Sequence, residues 1–519
     1  MHTWPVHTWS VHTWSVHTWP VHTWPVPAWS VHARPVHARP GRGRAVRHAA
    51  VPAPIPAARV TGRVAFREPA PAPGAPIAPG AARKTPGTAR IAPGPRTAPV
   101  VDAVAALFAE GDFRPAVFDD PGGPGGGAGD DLVGELCRRV LGPLARSDQR
   151  RSGELYIRGL LATTGRKSIR NIAAQTGVPA DAQRLHHFIS DSTWRWRPVR
   201  AALAHHVGAL APPRAWVVHT ATLPRAGRGG VGVEQFTDPR TGRRVNARCA
   251  VGLWAVTAHG SCPVDWILRL TPRWLDDPVL RARARLPADA AAVDAVAAGL
   301  DMVRATAATA GPHRAPVLLD ARHAPAGRVA ARLQAGGFPY LLRIAASHPL
   351  TPLAADGRDA ARVVTARHLA AGPAAGAYGR VRPPGAADGP YDVVRVPCRA
   401  YDTPPGPRRR QLLLARRDPY HPERTAYWLT DLTTLPSAAL LRLAAAPDGI
   451  DRDVSVTGRR HGLHDFDGRT FAGWHRHITL ASAAHAAALL LDRRPAVAGP
   501  PPPPAPTRRG ERSLPRKRP

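Results

Sequence analysis

The sequence predicts an α/β fold: a mixed sheet with flanking helices, an N-terminal helical module before it and disordered tails at both ends. Three observations carry this. From Arg214 onward, short apolar runs alternate with turn residues, which is the pattern of strands in a covered sheet. Between about 130 and 200, apolar residues recur at helical spacing instead. The 59 Pro of the 519 residues are concentrated toward the two ends, where no helical or strand periodicity survives.

The first hundred residues divide in two. From His2 to Pro40 the chain repeats every five residues as His-Thr-Trp-Pro/Ser-Val, with Trp4, Trp9, Trp14, Trp19, Trp24 and Trp29 in register. A five-residue period fits neither a helix nor a strand, so it buries no tryptophan face. The tract reads as translated tandem DNA upstream of the true start rather than as an aromatic, His-rich tract for metal or single-stranded nucleic acid. Residues 41–100 are rich in Ala, Pro, Arg and Gly and are expected to be disordered. Together, 1–100 form a low-complexity segment, and the folded chain is expected to begin near Val100.

Residues 101–213 form the predicted helical module. After Gly/Pro-rich residues 121–129, Leu132, Leu136, Val140, Leu141 and Leu144 share one helical face, and a second amphipathic stretch runs from Glu154 to Leu161. A short helix around Ser168–Gln175, a break at Thr176-Gly177-Val178-Pro179, and a second helix from Ala180 to Ser190 have the outline of a helix-turn-helix. Its second helix offers Gln183, Arg184, His186 and His187 to a DNA groove, although a structural helical hairpin fits the pattern equally. Trp194, Trp196 and Val199 are expected to pack this module.

The sheet strands are expected at Ala215–Val218, Ala250–Val256, Val264–Leu270, Pro316–Asp320 and Tyr340–Ile344, with a helix from about Ala288 to Ala308. The chain holds 71 Lys and Arg against 37 Asp and Glu, a net charge of +34, which excludes an acidic scaffold and fits a polyanion partner. Residues 1–100 carry 12 Arg/Lys against Glu68 alone, and 493–519 carry eight against Glu511 alone, so over half of the excess sits in the tails. Lys84, Lys167 and Lys517 are the only lysines; the arginine preference reads as codon bias, and the net sign as chemistry. No apolar run reaches the 18 residues of a membrane span, and no signal peptide is legible. A cytoplasmic, nucleoid-associated protein with no membrane partner is expected. Cys137, Cys249, Cys262 and Cys398 have no zinc spacing and read as reduced, partly buried thiols.

Several stretches, in order, resemble one family. They are Arg214-Ala215-Trp216-Val217-Val218, Val231-Gly232-Val233, Cys262-Pro263-Val264-Asp265-Trp266 with Trp274-Leu275-Asp276-Asp277-Pro278, Val317-Leu318-Leu319-Asp320, Tyr427-Trp428-Leu429, Gly462 through Arg469, and Gly473-Trp474-His475-Arg476-His477-Ile478-Thr479-Leu480. Over roughly 130–492 the chain is similar to bacterial insertion-sequence transposases of the seven-oh-one type, DDE superfamily endonucleases. The resemblance implies an RNase H-like mixed sheet with a β-rich insertion. The core would run over 214–345, the insertion over 346–436, and the C-terminal core helices over 437–492, before a basic tail at 493–519. It also implies double-stranded DNA as partner, with homodimerisation open.

The chemistry of that family requires three carboxylates around two Mg2+ ions, which activate the attacking oxygen and steady the leaving one. By the resemblance, His219 and Thr220 stand where an Asp-Asp pair belongs, Asp320 is the retained second acid, and Asp451 replaces the third, a glutamate. The tyrosine, arginine and lysine of the same helical box fall on Ala444, Pro447 and Gly458. Pro447 and Gly449 are expected to break the approach of that helix. Two acids remain, Asp320 and Asp451, as the expected metal ligands; Glu234 or Asp238 is a conceivable replacement for the lost one. The expected protein is transposase-like by descent and catalytically impaired, using Mg2+ only if active. An inactive DNA-binding or regulatory derivative and a decaying relic are the alternatives. The histidines His475, His477 and His485 are expected on a packed or solvated helix rather than at a metal.

Overall fold

The structure is a computed structural model that describes residues 126–491 apart from 238–241, 310–313, 355–358, 360–361, 374–378, 383–389, 405–409 and 419–420. The pentapeptide repeat, the expected start of the folded chain near Val100, Asp238 and the basic tail lie outside the described residues.

The described residues begin with five helices: α1 (Gly126–Leu141), α2 (Ser147–Ala162), α3 (Ile169–Ala174), α4 (Ala180–Ser190) and α5 (Trp196–Leu210). The helix expected from Ala180 to Ser190 has those bounds. Ser168 opens α3 by accepting a hydrogen bond from the Asn171 amide, and Gly177 takes a left-handed φ of 67° in the turn to α4. Leu185, Phe188 and Ile189 bury one side of α4, while Trp194 and Val199 are buried behind it.

A mixed sheet of twelve strands follows. Its first part holds β1 (Ala215–Pro224), β2 (Val233–Thr237), β3 (Arg244–Thr257), β4 (Gly260–Leu268), β5 (Val317–Asp320) and β6 (Tyr340–Ile344). β1 pairs antiparallel with β3 and parallel with β5, β3 pairs antiparallel with β4, and β5 pairs parallel with β6. The order β4-β3-β1-β5-β6, with β1 central, is the strand order of an RNase H-like core. Both parallel strands are short and apolar because helices cover them on both faces. The strand expected at Tyr340–Ile344 has those bounds, and the one expected from Pro316 starts one residue later, at Val317. After the short helices α6 (Pro272–Asp276) and α7 (Pro278–Ala284), the helix expected from Ala288 starts later, as α8 (Ala295–Ala307), because the Asp294 side chain caps it by accepting from the Ala297 amide.

The strands after residue 345 do not form a separate sheet. β7 (Pro349–Pro352), β8 (Val364–Thr365), β9 (Gly379–Val381), β10 (Tyr391–Ala400), β11 (Gln411–Arg417) and β12 (Ala426–Thr430) continue the same one, with β12 paired to β6 through Trp428↔Arg343. Beyond α9 (Ala326–Ala335) and α10 (Ala366–Ala371), helices α11 (Ser437–Ala444), α12 (Ala446–Asp453) and α13 (Phe471–Leu491) close the fold. α13 is buried along nearly its whole length, packed between the helical module and β4. A helix buried all round must pair every polar side chain it carries. Arg476 donates to the carbonyls of Ile189 and Trp194, and Ser482 accepts from the Trp266 indole.

On the opposite face of the sheet, α8 crosses β1 at Gly299. A Cβ there would stand 2.4 Å from Val218 Cγ1, so the helix backbone itself touches the strand. Gly299→Ala is expected to destabilise the protein by about 1–3 kcal/mol through overpacking. A denaturant midpoint equal to that of the wild type would show that the interface gives way.

Candidate active site

The site follows from strand register. Val218 stands beside Leu319 in the parallel β1–β5 pair, so the next residues, His219 and Asp320, fall side by side on one face. Asp320 is in turn opposite Arg343 of β6, and Arg343 is opposite Trp428 of β12. α12 packs over β1 on this face and brings Asp451 to His219, with His219 Nε2 3.0 Å from Asp451 Oδ1. That is ion-pair distance for a protonated ring, yet the nitrogen makes no directed hydrogen bond. The imidazole is largely buried and the Asp451 carboxylate is 69% exposed.

Asp320 is held differently. Arg322, two residues on, donates Nε to both carboxylate oxygens at 3.0 Å and Nη2 to Oδ2 at 2.5 Å, and its backbone amide donates to Oδ1 at 3.0 Å. Burial works to raise the Asp320 carboxyl, but the hydrogen bonds from Arg322 outweigh it and hold the group below its usual value. A forked guanidinium therefore occupies the oxygens that a metal ion would need.

Asp448, one turn before Asp451, was not singled out by the sequence. It lies within electrostatic reach of Asp451, His219, Arg343 and Arg416. Its carboxyl is raised, first by burial and, among its neighbours, by Asp451, while Arg416, Arg343 and His219 oppose. Its signal was present only as the second Asp three residues before Asp451, on the same helical face.

Two expectations are corrected. Pro447 and Gly449 do not break the helix: Pro447 sits in the first turn of α12, where its missing N–H costs nothing, and the Gly449 amide bonds to Ala445. Gly458 ends a π-helical turn over Val454–Gly458, and a Cβ there would meet Leu463 Cδ1 at 2.6 Å, so a side chain at the lysine position would have to displace Leu463. Glu234 does not replace the lost acid, because it accepts from Thr271 Oγ1 at 2.7 Å and lies 3.6 Å from Arg273.

Among the described residues, no three His, Cys, Asp or Glu side chains converge as a metal group. Asp320 and Asp451 do not fit a two-Mg2+ centre: one is saturated by a guanidinium and the other faces an imidazole. The histidines of α13 are occupied elsewhere. His475 meets Arg200 at 3.1 Å, His477 lies 2.8 Å from both Tyr156 Oη and the Gly462 carbonyl, and His485 Nε2 bonds to the Ser261 carbonyl at 2.9 Å. Ser261 donates to Asp453, and the buried Cys262 thiol is pushed up by desolvation, so that pair offers no nucleophile.

Gln183, Arg184, His186 and His187 all lie on the exposed side of α4, well apart from this face in the chain, with Arg184 paired to the buried Asp181 at 2.5 Å.

Comparison with known proteins adds one finding. Residues 139–386 match the DDE superfamily endonuclease family. The match spans α2 to α5 and the strands that carry His219 and Asp320, and it ends before Asp448 and Asp451. No curated protein matches the chain. No described helix is long and apolar enough to cross a membrane.

Proposed function

We propose that this chain is a duplex-DNA-binding protein descended from an insertion-sequence transposase of the seven-oh-one type, with an impaired strand-transfer centre. The observation that carries the reading is His219 beside an Asp320 already forked by Arg322, within a region that matches the DDE endonucleases. Phosphodiester transfer by two metal ions needs oxygen ligands on both sides of the reacting phosphate. An imidazole and a neutralised carboxylate supply neither. DNA remains the partner, bound through the exposed face of α4 and the positive charge of the described surface. Homodimerisation and nucleoid association belong to this reading.

The test is binding and cleavage on the same duplexes. The protein should bind double-stranded DNA with an affinity that falls steeply with salt, and leave terminal-repeat DNA uncut in Mg2+. An Arg184→Ala/His187→Ala variant should bind at least about tenfold more weakly, since loss of one good base contact costs about 1–3 kcal/mol. Robust Mg2+-dependent cleavage overturns the impairment, and failure to bind any duplex at low salt overturns the DNA-binding reading.

A further inference from the structure

The face that carries Asp320 continues across the sheet as a ladder of cations on aromatic rings. Register places its members together. Arg343 opposes Trp428, Trp428 opposes Leu414, and Arg416, two residues further along the same strand, opposes Val393, two residues beyond Tyr391. With a two-residue side-chain period, Arg343, Trp428, Arg416 and Tyr391 all project from one side. The guanidinium of Arg343 lies 4.5 Å from the centre of the Trp428 ring, and that of Arg416 lies 4.6 Å from Tyr391 and 5.6 Å from Trp428. Stacking fixes both planar groups at little entropic cost.

What they lack is an anion. Among the described residues neither Arg343 nor Arg416 has a carboxylate within 4.0 Å or a hydrogen-bond acceptor, whereas Arg322 is spent on Asp320. Burial, followed by the proximity of Arg322 and Arg416, pushes Arg343 down to about 10, still charged at neutral pH. Crowded like charges that are half-buried and keep their N–H groups free form an incomplete site, which a doubly accepting anion completes.

We propose that Arg343 and Arg416, held on Trp428 and Tyr391, form a phosphate-binding platform for the DNA backbone beside Asp320. The inference rests on the DNA-binding reading above and adds a second contact surface, on the sheet rather than on α4. Asp448 and Asp320 border the platform and repel phosphate on that side, so the backbone passes along β6, β12 and β11.

The experiment measures duplex affinity across about 50–200 mM salt for the full chain, Arg343→Gln/Arg416→Gln and Arg343→Lys/Arg416→Lys. Two lost phosphate contacts should lower the slope of log K against log salt by roughly 1–2 and weaken low-salt binding at least about tenfold. The lysine variant should recover most of the slope, which a merely structural role of the arginines would not require. Inorganic phosphate serves as the second probe. If it raises the melting midpoint of the wild type but not of the glutamine variant, while their duplex affinities agree, the site takes free phosphate and the backbone assignment is overturned. Equal affinity and slope with no phosphate effect removes the platform while leaving the α4 reading intact. A wild type that binds no duplex removes both.

Discussion

The wild-type protein should show no saturable change in thermal midpoint with Mn2+, while a triple variant, His219→Asp/Arg322→Gln/Asp451→Glu, should be stabilised by the metal. Each substitution has its own role. His219→Asp places a second carboxylate beside Asp320, because the β1–β5 register sets those two positions side by side. Arg322→Gln releases both oxygens of Asp320 from the fork that now holds them. Asp451→Glu extends the third arm by about one C–C bond, and misplacement on the order of 1 Å is enough to lose much of a site's function. Without metal the variant crowds three acids onto one face and should be less stable than the wild type. With metal at about a hundredfold over its dissociation constant, it should gain roughly 2.7 kcal/mol by mass action. A Mn2+-dependent shift of similar size in the wild type would mean that the native residues already hold the ion. No shift in the triple variant would mean that the backbone no longer supports the geometry.

On the proposed reading, the site has exchanged one kind of cation for another. A metal centre in this fold balances several carboxylates with divalent ions. Here the described site balances Asp320 with Arg322, and Asp448 with the more distant fields of Arg343 and Arg416. Guanidinium groups cannot polarise an attacking water as a metal does, but they bind phosphate oxygens well. Loss of cutting and retention of phosphate binding are therefore compatible on one surface, and the triple variant and the arginine-to-glutamine variant probe them separately.

Much of the fold was legible because it depends on local pattern. Tyr340–Ile344 and Ala180–Ser190 have the bounds that their apolar runs and flanking breakers predict, and the strand ending at Asp320 starts one residue later than its run. Asp320 was legible as the polar residue that ends a buried strand. What escaped depends on pairing between distant segments. β2 is short and mostly half-buried, so it carries no alternation to detect. Pro447 was read as a breaker, but the same residue starts a helix when it falls in the first turn. Arg322, Asp448, Arg343 and Arg416 were invisible as a group, since their relation exists only once β5, β6, β12, β11 and α12 share a face. In a chain where arginine is the default base, no single arginine draws attention.

The buried histidines give the largest expected effect on stability. His477 lies within α13, with Nε2 2.8 Å from the Gly462 carbonyl and Nδ1 2.8 Å from Tyr156 Oη. A carbonyl only accepts, so Nε2 carries the proton and Nδ1 accepts from the tyrosine; the ring is neutral with both nitrogens satisfied. Burial pushes it down to about 4, against the weaker upward pull of the Gly462 bond and Asp465. His461, buried beside His485 and Lys167, is pushed down to about 3 by desolvation and those neighbours, and burial beside Arg200 holds His475 well below its ordinary value. In the unfolded chain all three take up a proton near pH 6.5. Between that pH and the folded values the unfolded state binds more protons, so stability is full above pH 6.5 and falls as the pH drops toward 4. Each residue contributes a slope of up to about 1.4 kcal/mol per pH unit, or roughly 3 kcal/mol for His477 over the window. Asp320, depressed below the carboxylate range, loses its contribution only at lower pH, and the raised Asp448 opposes the trend only near the acid end of the window. Urea unfolding at several pH values should therefore show a steep loss of stability between pH 6.5 and 4. His477→Gln should be less stable at pH 7 but should lose about one proton's worth of that slope. An unchanged slope in the variant would mean that His477 is protonated, or reached by solvent, in the folded protein.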